Sequence, residues 1–295
     1  MKTRWWWERL YANIGGGGFS EDDSIDLRWP AGVQPPVKCR PHPYLMTFDL
    51  QDWMERRYYF SGVLYQNEVE QVLLNLLRRG DTFVDVGANI GVMTMIGAAR
   101  IGPTGCVLSI EPNPDVCYRL RRHVDLNGLE ERVRVVEAAL GERAGTAALA
   151  VQGRHPGGGT LTDSLGASRN VSIQKGDDLL REIDPVRPVI LKIDVEGFEK
   201  KALLGLQSVL THSEIALVIE LTDEFLRRVG DSVSGIYTML SDNGFAGYQI
   251  VEKSNRFIRW PALTPSSSPE PYWQYDALFV KPQSAVARRI RRLIN

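Results

Sequence analysis

From Thr82 to Lys281 the chain alternates short apolar runs with longer stretches of helical periodicity, and this alternation leaves few folds open to it. The β-type runs are Thr82 to Val86, Cys106 to Ile110, Val133 to Glu137, Val189 to Asp194, Ile215 to Glu220, Phe245 to Val251 and Ala277 to Lys281. Helical spacing covers Val92 to Arg100, Pro114 to Asn127, Asp177 to Glu182, Glu199 to Leu210 and Ser232 to Asn243. Ahead of the first run, "NEVEQVLLNLLRRG" has apolar residues at helical spacing and stops at Gly80. Strand and helix in turn predict an α/β protein with a mostly parallel, doubly wound sheet and helices on both faces. Ligands bind such sheets outside the carboxyl ends of the strands, so functional residues are expected there.

The flanks lack this rhythm. Gly15 to Gly18, the acidic Glu21, Asp22 and Asp23, and prolines at 30, 35, 36, 41 and 43 break every periodic run, which predicts an irregular N-terminal extension or cap over residues 1–60. The domain proper is expected over 61–283 and a basic amphipathic tail over 284–295. The Gly-, Ser- and Thr-rich segment between Gly141 and Gln174 reads as an insertion at the active-site rim. Lys plus Arg (35) balance Asp plus Glu (36), so no global field favours a polyanion and nucleic acid is not an expected partner. Cys39, Cys106 and Cys117 show no C-x-x-C spacing and fit a reducing setting. The first residues lack the apolar core of a signal peptide, and no stretch reaches the ~18 apolar residues of a membrane span. A cytoplasmic location follows as the expectation. Trp5, Trp6 and Trp7 beside Lys2, Arg4 and Arg9, and Val286, Ile290, Leu293 and Ile294 beside Arg288, Arg289, Arg291 and Arg292, have the composition of interfacial anchors. They predict either peripheral contact with the inner face of a membrane or packing onto the domain or a partner chain, as in an oligomer.

"FVDVGANIGVMT", Phe83 to Thr94, is a strand, a turn through Gly87-Ala88-Asn89-Ile90-Gly91, and a helix start. Glycines permit a tight turn, and the helix N-terminus offers unpaired N–H groups to an anionic group. The turn is not G-x-G-x-x-G, and Asp85 in the strand repels a pyrophosphate but suits a cationic ligand group. Glu111, where the next strand ends in "VLSIEPNP", is placed to accept hydrogen bonds from ribose hydroxyls. Ammonium, carboxylate and ribose together describe S-adenosyl-L-methionine. Singly, Gly87 and Gly91 also read as plain turn residues and Glu111 as a solvated acid.

On "VDVGANIG" (84 to 91), "IEPNP" (110 to 114), "LNGLEERV" (126 to 133), "EAALGERAG" (137 to 145), "GDDLL" (176 to 180) and "LKIDVEGFE" (191 to 199), the chain resembles the FkbM family of S-adenosylmethionine-dependent methyltransferases. The resemblance spans about residues 65 to 282. It implies the class I methyltransferase fold, a Rossmann-like doubly wound sheet of seven strands with the last antiparallel, and methyl transfer usually to a hydroxyl of a small molecule or glycan. By the same resemblance Asp85, Gly87, Asn89 and Gly91 match the cofactor turn, Glu111 and Asn113 the ribose and adenine edge, and Glu137 and Ala138 the adenine contact, with Glu68 also approaching the cofactor. Gly176 departs from the family, whose members more often carry Leu before the residue aligned with Asp177. That Asp reads equally as a ligand or a helix cap.

Methyl transfer is an in-line displacement that needs orientation and, for a hydroxyl, a proton acceptor. In "VILKIDVEGFE", residues 189 to 199, strand alternation puts Lys192, Asp194 and Glu196 on one face at the ligand-binding edge. Asp194 is expected to touch the cofactor's methionine end or the acceptor, and Glu196 or His155 to take the proton. A plain Lys192–Asp194 salt bridge is the alternative. Gly197 lets the backbone turn, and Glu199 complements the dipole of the following helix. Glu220 ends the next strand, so Asp194, Glu196 and Glu220 also offer a divalent metal oxygen ligands, with which it would hold an acceptor diol; a metal is not the favoured expectation. The sequence thus predicts O-methyl transfer to a saccharide, glycan or small natural product. The rivals are a dinucleotide oxidoreductase, disfavoured by Asp85, and a non-catalytic S-adenosylmethionine-binding module.

Overall fold

The structure, a computed structural model, describes residues 29–30, 32–62, 67–151, 159–162, 169–181, 184, 186–251, 256–259 and 274–291. A short hairpin, β1 (Val37–Lys38) and β2 (Leu45–Met46), leads through α1 (Trp53–Ser61) and α2 (Asn67–Leu76) to β3 (Thr82–Val86), α3 (Val92–Ile101), β4 (Cys106–Ile110), α4 (Pro114–Leu126) and β5 (Val133–Val136). The insertion contains β6 (Ala139–Leu140), β7 (Gly145–Val151), β8 (Gly159–Thr162) and β9 (Arg169–Gln174), followed by α5 (Gly176–Leu179). Then come β10 (Val189–Ile193), α6 (Glu199–Leu204), α7 (Gln207–Leu210), β11 (Ile215–Thr222), α8 (Asp223–Arg228), α9 (Val233–Asp242), β12 (Ala246–Val251), β13 (Arg256–Arg259), β14 (Gln274–Val280) and α10 (Ala285–Ile290).

Among the described residues one sheet has the order β13-β12-β14-β11-β10-β3-β4-β5. β5, β4, β3, β10 and β11 run parallel, and β14 enters antiparallel between β11 and β12. Seven of these strands form the expected doubly wound sheet with its last strand antiparallel; β13, which pairs antiparallel with β12, is an eighth that the sequence reading lacks. β3 and β10 are buried at every residue, as strands covered on both faces must be. Phe83, Ile190 and Val218 pack under Leu73, Ile96, Leu120 and Val286 on one face, while Val84, Leu191 and Leu217 meet Leu203, Leu206 and Leu240 on the other. The helix expected over Glu199 to Leu210 breaks at Gly205, where the chain passes so close that an added Cβ would stand 2.2 Å from the Gly141 carbonyl oxygen.

The segment from 139 to 174 is more regular than a rim loop: β6, β9, β7 and β8 make a separate four-stranded sheet. β7 and β8 are rich in Gly, Ala and Thr and β9 in polar residues, so no local apolar pattern announces the sheet.

The described part of the N-terminal extension is likewise folded, and it docks on α4. Asp52 caps α1, accepting from the Met54 and Glu55 N–H groups at 2.9 and 3.0 Å. Asn127 accepts from the Leu45 N–H and donates to its carbonyl, both at 2.8 Å, and Arg119 pairs with Glu55 at 2.6 Å. His123, fully buried, takes the Thr47 N–H on Nε2 at 3.0 Å and sits 2.8 Å through Nδ1 from the Ile90 carbonyl. With burial pushing it down to about 4, its imidazole stays neutral, and it joins the extension to the glycine turn. Asn127→Ala should lower stability by about 1 kcal/mol in urea denaturation, the lower end of the cost of stranding backbone groups that are only partly buried.

The tail reading changes too. Val286 and Ile290 are fully buried, and Arg289 pairs with Asp81 and donates to the Leu76 carbonyl at 2.7 Å, so the described part of the tail packs onto the domain and its apolar face is not available to a membrane. The N-terminal tryptophans, Leu293 and Ile294 lie outside the described residues. No described helix is long and apolar enough to cross a membrane.

Candidate active site at the carboxyl edge of the sheet

After Val86 the chain turns through Gly87 (φ 75°), Asn89 (φ 50°) and Gly91 (φ 92°) into α3. Gly87 is forced twice, by its left-handed φ and by its neighbour: a Cβ there would lie 1.8 Å from the Asp194 carbonyl oxygen. Asn89 tolerates its own positive φ, its Oδ1 accepting from the Ile90 N–H at 2.7 Å. The Glu111 carboxylate reaches over from the end of β4 and accepts from the Asn89 and Asn113 N–H groups at 2.9 and 2.8 Å. Burial pushes its pKa up to about 7, and those two N–H bonds hold the rise in check.

A polar column runs along the sheet face that α2, α3, α4 and α10 cover. Lys192 is the register partner of Asp85 on β3, and Ser109 that of Asp85 on β4. Asp85 is completely buried; its Oδ2 accepts from the Thr94 hydroxyl at 2.7 Å, and Oδ1 lies 3.9 Å from the Lys192 ammonium. Two residues short of Gly87, Asp85 meets the Lys192 ammonium inside the sheet. Burial raises its pKa, opposed by the Lys192 charge and the Thr94 bond. Burial disfavours charge on Lys192 as well, but Asp194, at 3.0 Å, and Asp85 outweigh it and hold the ammonium above its ordinary range.

One step further along the strands lies the edge itself. Glu220 and Asp276 are register partners. The strand register, carried one residue past Ile193 and Val86, sets Asp194 and Gly87 in the same row. Glu196 joins them by another route than strand alternation. β10 ends at Ile193, and Glu196 (φ 53°) and Gly197 (φ 100°) fold the chain back, so that carboxylate oxygens of Asp194, Glu196 and Glu220 lie within 4.8 Å of one another. Glu199 holds this turn, accepting from the Gly197 N–H at 2.9 Å, which is a structural role beyond that of dipole partner.

The remaining expected residues divide. Glu68 stands in the first turn of α2, half-buried, and its charge is felt at Asp276. Asn113 caps α4 by accepting from the Asp115 N–H, Glu137 pairs with Arg121 at 2.7 Å on the surface, and Ala138 is completely buried. Asp177 accepts from the Ser208 and Val209 N–H groups at the start of α7 and is a cap. Leu206 packs against Gly176, 2.4 Å from where a Cβ would be. His155 lies outside the described residues. Asp276 was missed, and its only signal is an acid in phase with Leu278 at the start of "DALFV".

This glycine turn after β3, the acid that ends β4 and the acids at the ends of β10 and β11 on a doubly wound sheet are the marks of the S-adenosylmethionine-dependent methyltransferase class. The chain belongs to the FkbM methyltransferase family: the Methyltransferase FkbM domain matches residues 85–246, more than half of its length. It is similar to Hexuronic acid methyltransferase AglP of Haloferax volcanii, 25% identical over 197 residues that make up 66% of this chain and 78% of the relative. Methyltransferase 1 of Beauveria bassiana is 28% identical over 190 residues, 56% of this chain and 73% of the relative. Among solved structures, the precorrin-6y C5,15-methyltransferase of Geobacter metallireducens has a TM-score of 0.42 at 14% identity, covering 74% of this chain and 92% of that one.

Proposed function

We propose that this enzyme transfers a methyl group from S-adenosylmethionine to a hydroxyl oxygen of a saccharide, glycan or related small natural product. The observation that carries the reading is the row at the sheet edge, where a glycine turn that excludes even a methyl group adjoins the half-buried carboxylates of Asp194, Glu196 and Glu220. The turn through Gly87, Asn89 and Gly91 would take the cofactor, with its carboxylate at the N-terminus of α3. Glu111 still has a second lone pair on each oxygen for a ribose diol while its first pairs fix the turn. Asp194, anchored by Lys192, would face the methionine end or the acceptor, and Glu196 would line the acceptor side. When bound, the cofactor supplies an electrophilic methyl on a sulfonium; this chain orients the acceptor and takes its proton. Acids at the edge suit a hydroxyl acceptor, since ionised carboxylates only accept hydrogen bonds. A saccharide acceptor is supported by the hexuronic acid methyltransferase among the relatives.

The test is calorimetry with S-adenosylhomocysteine, then transfer of labelled methyl to a panel of neutral saccharides and hexuronic acids, with and without EDTA. Binding plus chelator-insensitive transfer is expected. Binding without transfer to any acceptor returns the protein to a non-catalytic module. Transfer that EDTA stops, and Mg²⁺ restores, replaces direct acid chemistry with a metal held by Asp194, Glu196 and Glu220.

A further inference from the structure

Asp276 stands on β14 directly opposite Glu220 and on the sheet face that carries Lys192 and Asp194. Its Oδ1 is buried and has no hydrogen-bond partner among the described residues. Buried carboxylate oxygens are rarely left so, and each case needs a reason. Of the other such oxygens, Asp85 Oδ1 faces Lys192 inside the sheet, Glu199 Oε2 belongs to the carboxylate whose Oε1 holds the Gly197 turn, and Glu70 Oε2 lies in the first turn of α2. Among the described residues, Asp276 is the orphaned acceptor in the strand row where ligands approach the sheet.

We propose that Asp276 receives the hydrogen bond of the acceptor hydroxyl and takes its proton as the methyl group transfers. The inference rests on the methyl-transfer reading above and adds the residue that does the proton work. In the step, the O–H bond breaks with its proton going to an Asp276 oxygen, and the freed electron pair forms the O–CH₃ bond. The methyl–sulfur bond breaks with its pair remaining on sulfur, so sulfonium becomes thioether and no further reactant is needed. The geometry is supported by the local electrostatics. Burial first, and then the Asp194 and Glu68 charges, push the Asp276 carboxyl up to about 7 against the pull of Lys192; Glu220 is its neighbour across the strands. A base that titrates near neutrality balances being ionised against being basic.

The experiment compares wild type with Asp276→Asn and, should the amide fold poorly, Asp276→Ser. Three readouts are taken: turnover against pH, S-adenosylhomocysteine affinity, and melting temperature against pH. The expected loss in turnover is on the order of 100-fold or more, as for removal of a general base, with cofactor affinity changed less than about threefold. Wild-type kcat/KM should rise through pH 7 and level off above it, and the variants should lack this limb. Because the folded carboxyl titrates above its unfolded value, the native state loses stability as pH rises from about 4 to about 7; Asp276→Asn should therefore melt higher than wild type at pH 8 and match it near pH 4. Turnover within threefold of wild type, or an unchanged acid limb, overturns the assignment to Asp276 and leaves methyl transfer standing. A wild-type protein that methylates no hydroxyl overturns both.

Discussion

Gly87→Ala should abolish S-adenosylhomocysteine binding in calorimetry and lower the unfolding free energy by about 3 kcal/mol or more, at the upper end of single substitutions. Two independent costs add. An alanine at φ 75° carries the left-handed penalty of roughly 1–2 kcal/mol. Its Cβ would also stand 1.8 Å from the Asp194 carbonyl oxygen, and that atom is backbone, held by the β3–β10 register and by the Asp194 N–H bond to the Val86 carbonyl at 3.1 Å. Relief requires prying apart the two strands whose ends carry the turn and the acids, so stability and site fail together. Gly128→Ala is the control: its φ is similarly positive at 61° but nothing lies within 4 Å of the new Cβ, so about 1–2 kcal/mol and unchanged cofactor binding are expected there. If Gly87→Ala bound the spent cofactor within threefold of wild type, the close approach would not be the reason for the glycine.

That glycine was legible in the sequence as a turn residue, but its reason was not, because the clash comes from a strand more than a hundred positions later. The same division runs through the chain. β3, β10 and β11 are mostly apolar runs, as burial on both faces favours, interrupted by Asp85, Lys192 and Glu220. Asp85 was visible as an acid beside the turn. That it is sealed against Lys192 depends on register, which a single strand's pattern does not contain. Glu196 was placed at the site for the wrong geometric reason, since alternation ends at Ile193 and a left-handed turn does the work. Asp276 and the dock of α1 on α4 were hidden for a related cause. The apolar run was read from Ala277, one residue short of the acid, and "WMERRYYFS" carries no clear apolar stripe, its anchor being the distant Arg119.

Lys192→Met should destabilise the fold by about 3–5 kcal/mol at neutral pH, the cost of breaking a buried ion pair by removing one partner. The lysine is 5% exposed and bridges Asp194 at 3.0 Å and Asp85 at 3.9 Å, so the variant leaves a completely buried carboxylate held by Thr94 without a countercharge from Lys192. The pH dependence has a definite sign. Burial already raises Asp85, and losing the ammonium raises it further, so the folded variant binds a proton more tightly than the unfolded chain does. The deficit is therefore largest in alkali and shrinks as the pH falls and Asp85 becomes neutral. Asp85→Asn in the same chain should recover part of the loss, with a coupling of about 1–3 kcal/mol in a double-mutant cycle of urea midpoints. Turnover separates the two duties of the lysine. If Lys192 only neutralises Asp85, the double variant regains activity with its stability. The 3.0 Å bond to Asp194 predicts that it does not, because the carboxylate at the sheet edge has lost the group that aims it. A single variant as stable as wild type from pH 5 to pH 9 would sink the account, since no uncompensated charge could then be buried beside β3.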